Sequence, residues 1–321
     1  MFCSGSVYVN VALTGCVTIE MAESVGREVK IELGGDPFRC LLFGDAVQFT
    51  EEYHKMPDYR THIPALKNMH LDSDDVFICA SAKSGTNWIW EITQMLLSGK
   101  ADYHRKGKGI SMFEFTDVET LQGLPKPRAY NTHFTPQCLP KQVFEKKCKI
   151  IFIQRNPKDV LTSYWPFLKW YHIIDQDVTF DEFFPKMLNL DIDSSLFNWF
   201  YYTKTWYDFL KANKDTIDVH QMMFEDLKEN PVEEITKLAK FLNLKDDDTL
   251  HKDIAELCEF KNMKTAAAAK EFMVKDSHKF VFRKGQVGDW KNHFTVAFNE
   301  QFDEVYEKKM KGVHFKYRYS L

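Results

Sequence analysis

Residues 75–86 read Asp75-Val76-Phe77-Ile78-Cys79-Ala80-Ser81-Ala82-Lys83-Ser84-Gly85-Thr86. The first six, apolar from Val76 to Ala80, read as a buried strand. Small and polar residues follow, and then a helical period begins. Trp88, Ile89, Ile92, Met95 and Leu96 fall on one side, with Gly99 as the stop. A strand passing through such a loop into a helix aims backbone N–H groups at one point, where the helix dipole favours an anion. Gly85 lets backbone approach a ligand closely, Lys83 supplies a point charge, and Ser84 and Thr86 add hydroxyl donors. The lysine precedes the glycine, so this is not a Walker A loop, where it follows the second one. A chance Lys-Ser-Gly-Thr turn would read the same way, so the loop alone does not name a ligand.

Working outward, Cys148–Gln154 is a second buried strand, ending at Arg155-Asn156-Pro157. Asn156 suits an N-cap and Pro157 the first helical position. The helix is expected to reach Ser163-Tyr164-Trp165 and to kink or end at Pro166. Ser194–Lys211, Pro231–Leu242 and Ala297–Met310 carry amphipathic helical patterns, and Val219–Phe224 is a short strand. Strands alternating with helices predict an α/β fold in a single domain, with a central parallel sheet flanked by helices and a P-loop-like strand–loop–helix. Residues 1–37 read as an N-terminal extension, poorly ordered over its first 20 or so, and 38–321 as the domain. The basic stretch His104–Lys108 and the acidic Asp246–Asp248 read as solvated loops.

Two further stretches resemble anion-binding devices. Arg155 at a strand end can clamp a phosphate with two parallel hydrogen bonds, and Ser163 lies two turns along the same helix. Phe282-Arg283-Lys284-Gly285-Gln286-Val287-Gly288-Asp289-Trp290-Lys291 places two cations beside a glycine. Each has a plain alternative in a surface turn. Three devices in one α/β chain suggest a ligand with more than one phosphate-like group. His133 could serve as a general base if it sits beside the first loop, and otherwise reads as structural.

Composition removes several classes. The chain has 321 residues, 44% hydrophobic, with a net charge of −4 and no long Lys/Arg run, which disfavours nucleic-acid binding. Seven Cys at irregular spacing, without a C-x-x-C pair, argue against a disulfide framework or a structural zinc and for reduced thiols in the cytoplasm. No window approaches the ~20 apolar residues of a membrane span. Aromatics at 15%, including 27 Phe, suit either an apolar pocket or an aromatic-rich core.

Taken together, the motifs resemble the cytosolic sulfotransferase family, from about Phe38 to the C-terminus. Lys83-Ser84-Gly85-Thr86-Asn87-Trp88 is similar to its K-S-G-T-x-W loop. Arg155-Asn156-Pro157-Lys158-Asp159 with Ser163 is similar to its R-N-P-K-D…S element, and Arg283–Lys291 to its R-K-G-x-x-G-D-W-K element. Lys291, Thr295, Val296 and Glu300 match its homodimerisation motif. The resemblance implies transfer of a sulfonate from 3′-phosphoadenosine 5′-phosphosulfate (PAPS) to a hydroxyl or amine of a small acceptor. It leaves 3′-phosphoadenosine 5′-phosphate (PAP) as product and needs no metal. It implies His133 as base, with Lys83 and Ser163 completing the catalytic group. Ser84, Gly85, Thr86 and Asn87 would cradle the 5′-phosphosulfate. Arg155, Ser163, Arg283, Lys284 and Gly285 would hold the 3′-phosphate. Trp88 and Phe260 would enclose adenine, with Phe224 and Cys258 nearby. It also implies a homodimer and no partner in nucleic acid or membrane.

The sequence departs from the pattern in places. Asn131 stands where the family has Lys before Thr-His, and Phe224 where it has Tyr before Glu-Asp. Cys258 replaces a small hydroxyl residue, and Ser81-Ala82 replace Tyr-Pro. These changes keep open a relative that binds PAPS or PAP with weak or no turnover. A phosphoryl-transferring kinase would need a true Walker A loop and an Mg²⁺-binding carboxylate, and neither is seen. A glycan sulfotransferase of the Golgi type would carry a membrane helix. The acceptor is not encoded in a motif; Phe38–Phe49, residues 104–118 and Trp165–Tyr171 are the candidate wall segments.

Overall fold

The computed structural model describes residues 26–49, 56–268, 270 and 281–321. The parallel sheet has the order β5-β4-β6-β7, with β4 Val76–Cys79, β5 Ala129–Thr132, β6 Lys149–Gln154 and β7 Val219–Met223. Side chains alternate across it, as the pleat requires. Val76, Ile78, Ile151 and Ile153 pack with Ile89, Ile92, Met95, Ile235 and Ile254 on one face. Phe77, Cys79, Ile150 and Phe152 pack with Tyr59, Tyr202 and Trp206 on the other. Both faces are covered by helices, which explains why β4 and β6 read as continuous apolar runs.

The helix after β4 spans Thr86–Ser98 and ends in Gly99, whose backbone is left-handed at φ 65°. The helix after β6 begins at Pro157, and Asn156 caps it by accepting from Asp159 N. Expected and observed boundaries also agree closely for Pro231–Phe241 and Val296–Lys309.

Other expectations are corrected. The Pro157 helix runs through Pro166 to Trp170. Tyr164 and Leu168, on either side of the proline, are both buried in the core, and that packing outweighs one missing backbone bond. The helix expected from Ser194 starts at Trp199, because Asn198 caps it by accepting from Tyr201 N. An antiparallel sheet of β1 Arg27–Ile31, β2 Phe38–Phe43 and β3 Ala46–Phe49 was not legible. Its first strand lies within the stretch read as an extension. It pairs with β2, Ile31 opposite Phe38, and Ile31 and Leu33 are buried. The folded body therefore begins by residue 27; the segment expected to be poorly ordered lies outside the described residues. Asp246 and Asp247 lie in a surface loop, and Asp247 caps the Asp248–Leu257 helix. Among the described residues no helix is long and apolar enough to cross a membrane.

Candidate active site

The C-terminal ends of the four parallel strands lie side by side, with Cys79 opposite both Thr132 and Phe152, and Gln154 opposite Met223. The next residues along each strand therefore meet at one edge of the sheet, the usual place for ligands in open α/β sheets. β4 delivers Lys83 and the loop to Trp88, β5 delivers His133, β6 delivers Arg155, and β7 delivers Phe224. All of these but Ser84 line one cleft enclosing about 1630 Å³ of empty space, part of it open to solvent. β5 had not been recognised, so the reason for the position of His133, directly after a strand, was missed.

Three loops close around the cleft's charged end. Arg155 donates from Nη1 to Lys83 O (3.2 Å) and from Nη2 to Gln286 O (2.8 Å), and stacks on Phe224 at 4.3 Å. One guanidinium thus joins the first loop to the third. Phe224 in turn meets the Trp88 ring edge-on at 5.4 Å. Gly85 has φ 101°, and a Cβ there would fall 2.8 Å from the Phe224 ring. Gly285 has φ 61°, and a Cβ there would fall 2.1 Å from Phe260. Only glycine fits either approach without moving an aromatic wall.

The Arg283–Lys291 stretch is anchored by two aspartates. Asp159, in the Pro157 helix, accepts from Gly288 N (2.8 Å) and Trp290 N (3.0 Å). Asp289 accepts from Arg283 (2.6 Å), Lys284 (2.5 Å) and Asn292 (2.9 Å). Burial works to raise the Asp289 carboxyl, but these donors outweigh it and hold it below the usual range. Arg283, Lys284, Gly285 and Ser163 all reach the cleft surface, as do Cys258 and Phe260. Ser84 does not: it is fully buried, and its hydroxyl is bonded to that of Ser81 (2.8 Å) inside the loop.

Between charged end and apolar end sit Lys83 and His133. The Lys83 ammonium lies over the Phe167 ring at 4.3 Å. Burial, and then the cations Arg155, Arg283 and Lys108, lower its pKa to about 7. His133 Nδ1 is 2.7 Å from Ala80 O. A carbonyl can only accept, so Nδ1 carries the hydrogen and Nε2 is left with its lone pair. Burial, and then Lys108, push the ring's pKa down to about 3, so it is neutral at ordinary pH. Its backbone N–H is held by buried Glu114, which also accepts from Thr132.

Phe49, Met112, Phe115, Tyr164, Phe167 and Tyr171 form much of the apolar end. Each expected wall segment contributes, but Trp165 does not, since its indole N–H is bound to Val178 O (3.1 Å). Lys108 corrects the reading of His104–Lys108 as wholly solvated. Arg105 and Lys106 are exposed, whereas Lys108 lines the cleft. Flanking Gly107 and Gly109, followed by an apolar residue, were the available sign of a turn directed inward. Asn131 is fully buried and donates to Ser111 Oγ (3.0 Å). Lys291, Thr295, Val296 and Glu300 are all exposed, Val296 at 77%.

Residues 73–314 match the model of a sulfotransferase domain. Human sulfotransferase 1C2 is 31% identical over 268 residues, covering 78% of this chain and 88% of that protein. Mouse sulfotransferase 1A1 is 34% identical over 269 residues, covering 79% and 90%. Mouse sulfotransferase SULT7A1 complexed with PAP superposes with a TM-score of 0.66 at 29% identity, over 79% of this chain and 90% of that one. Retinol dehydratase in a complex with retinol and PAP superposes with the same TM-score over 94% and 95%, and at 15% identity it shares the fold.

Proposed function

The chain belongs to the sulfotransferase family, and on that footing we propose that it moves a sulfonate from PAPS to the hydroxyl or amine of a small apolar or aromatic acceptor. The observation that carries this reading is His133. Its tautomer is fixed by Ala80, and its free Nε2 shares a cleft with Lys83 and the strand–loop–helix.

PAPS would lie along the charged end, its adenine near Trp88, Phe260 and Cys258. Its 3′-phosphate would meet Arg155, Ser163 and the Arg283–Gly285 turn, and its phosphosulfate the Lys83–Thr86 loop. His133 Nε2 takes the proton of the acceptor as the acceptor's oxygen or nitrogen bonds to sulfur. The bond from sulfur to the bridging phosphate oxygen breaks and leaves its electron pair on PAP. Lys83 donates to that oxygen as charge builds there. Positive charge comes from side chains, so the reading calls for no metal ion. PAP-bound structures among the family's members support the nucleotide assignment.

The exposure of Lys291, Thr295, Val296 and Glu300 supports a homodimer through these residues. Cys40, Cys79, Cys148 and Cys258 are buried thiols, which suits a reducing cytoplasm.

The test is label transfer from radiolabelled PAPS to a panel of phenols, alcohols, steroids and amines. Transfer is expected, and His133→Ala is expected to lower it about 10³-fold while PAP binding persists. PAP binding without transfer to any acceptor would instead favour the binding-only relative, to which buried, uncharged Asn131 lends weight.

A further inference from the structure

Lys108 is a cation in the cleft that no motif accounts for. It opens a short 3-10 turn, Lys108–Ser111, and lines the cavity together with Lys83 and His133. Among the described residues its ammonium donates only to the thioether of Met112, Nζ to Sδ 3.1 Å, a weak acceptor. An ammonium half-buried in a cleft without an oxygen partner has donors to spare, and an anion in the cavity satisfies them. The charges around it agree. Burial lowers Lys108 to about 8, with Glu114 opposing, and Lys108 is the leading charge acting on His133.

The turn is clamped from the strand side. Asn131 Nδ2 donates to Ser111 Oγ (3.0 Å), and Ser111 Oγ donates to Lys108 O (3.0 Å). Thr116 Oγ1 donates to Gly109 O (2.8 Å), and Phe113 N to Asn131 O (2.9 Å). Asn131 is outside the cleft wall, so its side chain supports the segment that carries a cation inward.

We infer that Lys108 binds the oxygens of the sulfonate in flight, and that Asn131 is the positioning residue that holds its turn. This rests on the sulfonate-transfer reading of the cleft. Lys108 takes no proton and breaks no bond. It holds the sulfonate's outer oxygens while the bond to the acceptor forms and the bond to PAP's bridging oxygen opens.

The experiment uses Lys108→Met, with Lys108→Gln as a second neutral variant, Lys108→Arg, Asn131→Ala and Lys108→Met/Asn131→Ala. It records kcat, PAP affinity and melting temperature. PAP has no sulfonate, so Lys108→Met should lower kcat about 100-fold with PAP affinity within about threefold of the unsubstituted protein. Lys108→Arg should recover part of the rate. Asn131→Ala should lower kcat about tenfold alone and add little to Lys108→Met, because both act through one ammonium. A folded Lys108→Met or Lys108→Gln protein with unchanged kcat overturns the inference. So does a loss of PAP affinity that matches the loss of rate. No transfer by the unsubstituted protein overturns the functional reading instead, and this inference with it.

Discussion

The two ends of the cleft are made differently. The charged end is assembled from three loops whose backbones are tied to one another. Arg155 joins the first to the third, Asp159 hangs the Gly288–Trp290 turn on a neighbouring helix, and two glycines sit against aromatic rings. The apolar end is a set of side chains, from Phe49 to Leu196, brought together by elements far apart in sequence. Backbone geometry constrains sequence tightly, because few residues accept a positive φ or a close approach. An apolar wall asks only for bulk, and bulk can be supplied in many ways. One end therefore carries motifs, and the other, on the proposed reading, carries freedom to change acceptor.

That contrast can be broken experimentally, most sharply at Arg155. Arg155→Ala removes two charge-assisted bonds between loops and a stacking partner of Phe224. PAP affinity by calorimetry should fall roughly 100-fold. A change below about threefold would show that the loops keep their arrangement without that tie.

The next effect concerns pH. Lys83 has a pKa of about 7 in the unliganded protein, and a bound polyanion favours its ammonium form. Above pH 7 the complex therefore holds more protons than the free protein. PAP affinity should fall by up to about tenfold per pH unit there and level off below. Calorimetry at pH 8 in two buffers of different ionisation heat should report proton uptake. A buffer-independent heat would detach Lys83 from the anion.

The smallest effect belongs to the apolar end. Phe115→Leu trims one wall side chain and should shift acceptor KM by roughly threefold, with PAP affinity unchanged. Coupled losses in both would mean that the two ends are not separable.

The same contrast governs what could be read from sequence. The β4 loop, the Arg155 strand end and the Arg283–Lys291 turn were legible because each needs particular residues at fixed spacing. β1–β3 were missed because short strands of mixed polarity, such as Arg27–Ile31, carry little periodicity. The helix does not end at Pro166 because local propensity yields to a core that buries Tyr164 and Leu168. Ser84 was grouped with its loop neighbours, although its hydroxyl turns inward to Ser81. Lys108 hid in a basic run in which Arg105 and Lys106 are solvated, since charge alone does not say which way a side chain points.

Cys258 gives the charged end one more property. It lines the cleft, is 1% exposed, and burial pushes its thiol up to about 12. Such a sulfur reacts with an alkylating reagent only through brief local openings. On the proposed reading a nucleotide lies across it and would suppress those openings, so the rate of alkylation at one native position would report occupancy of the cleft.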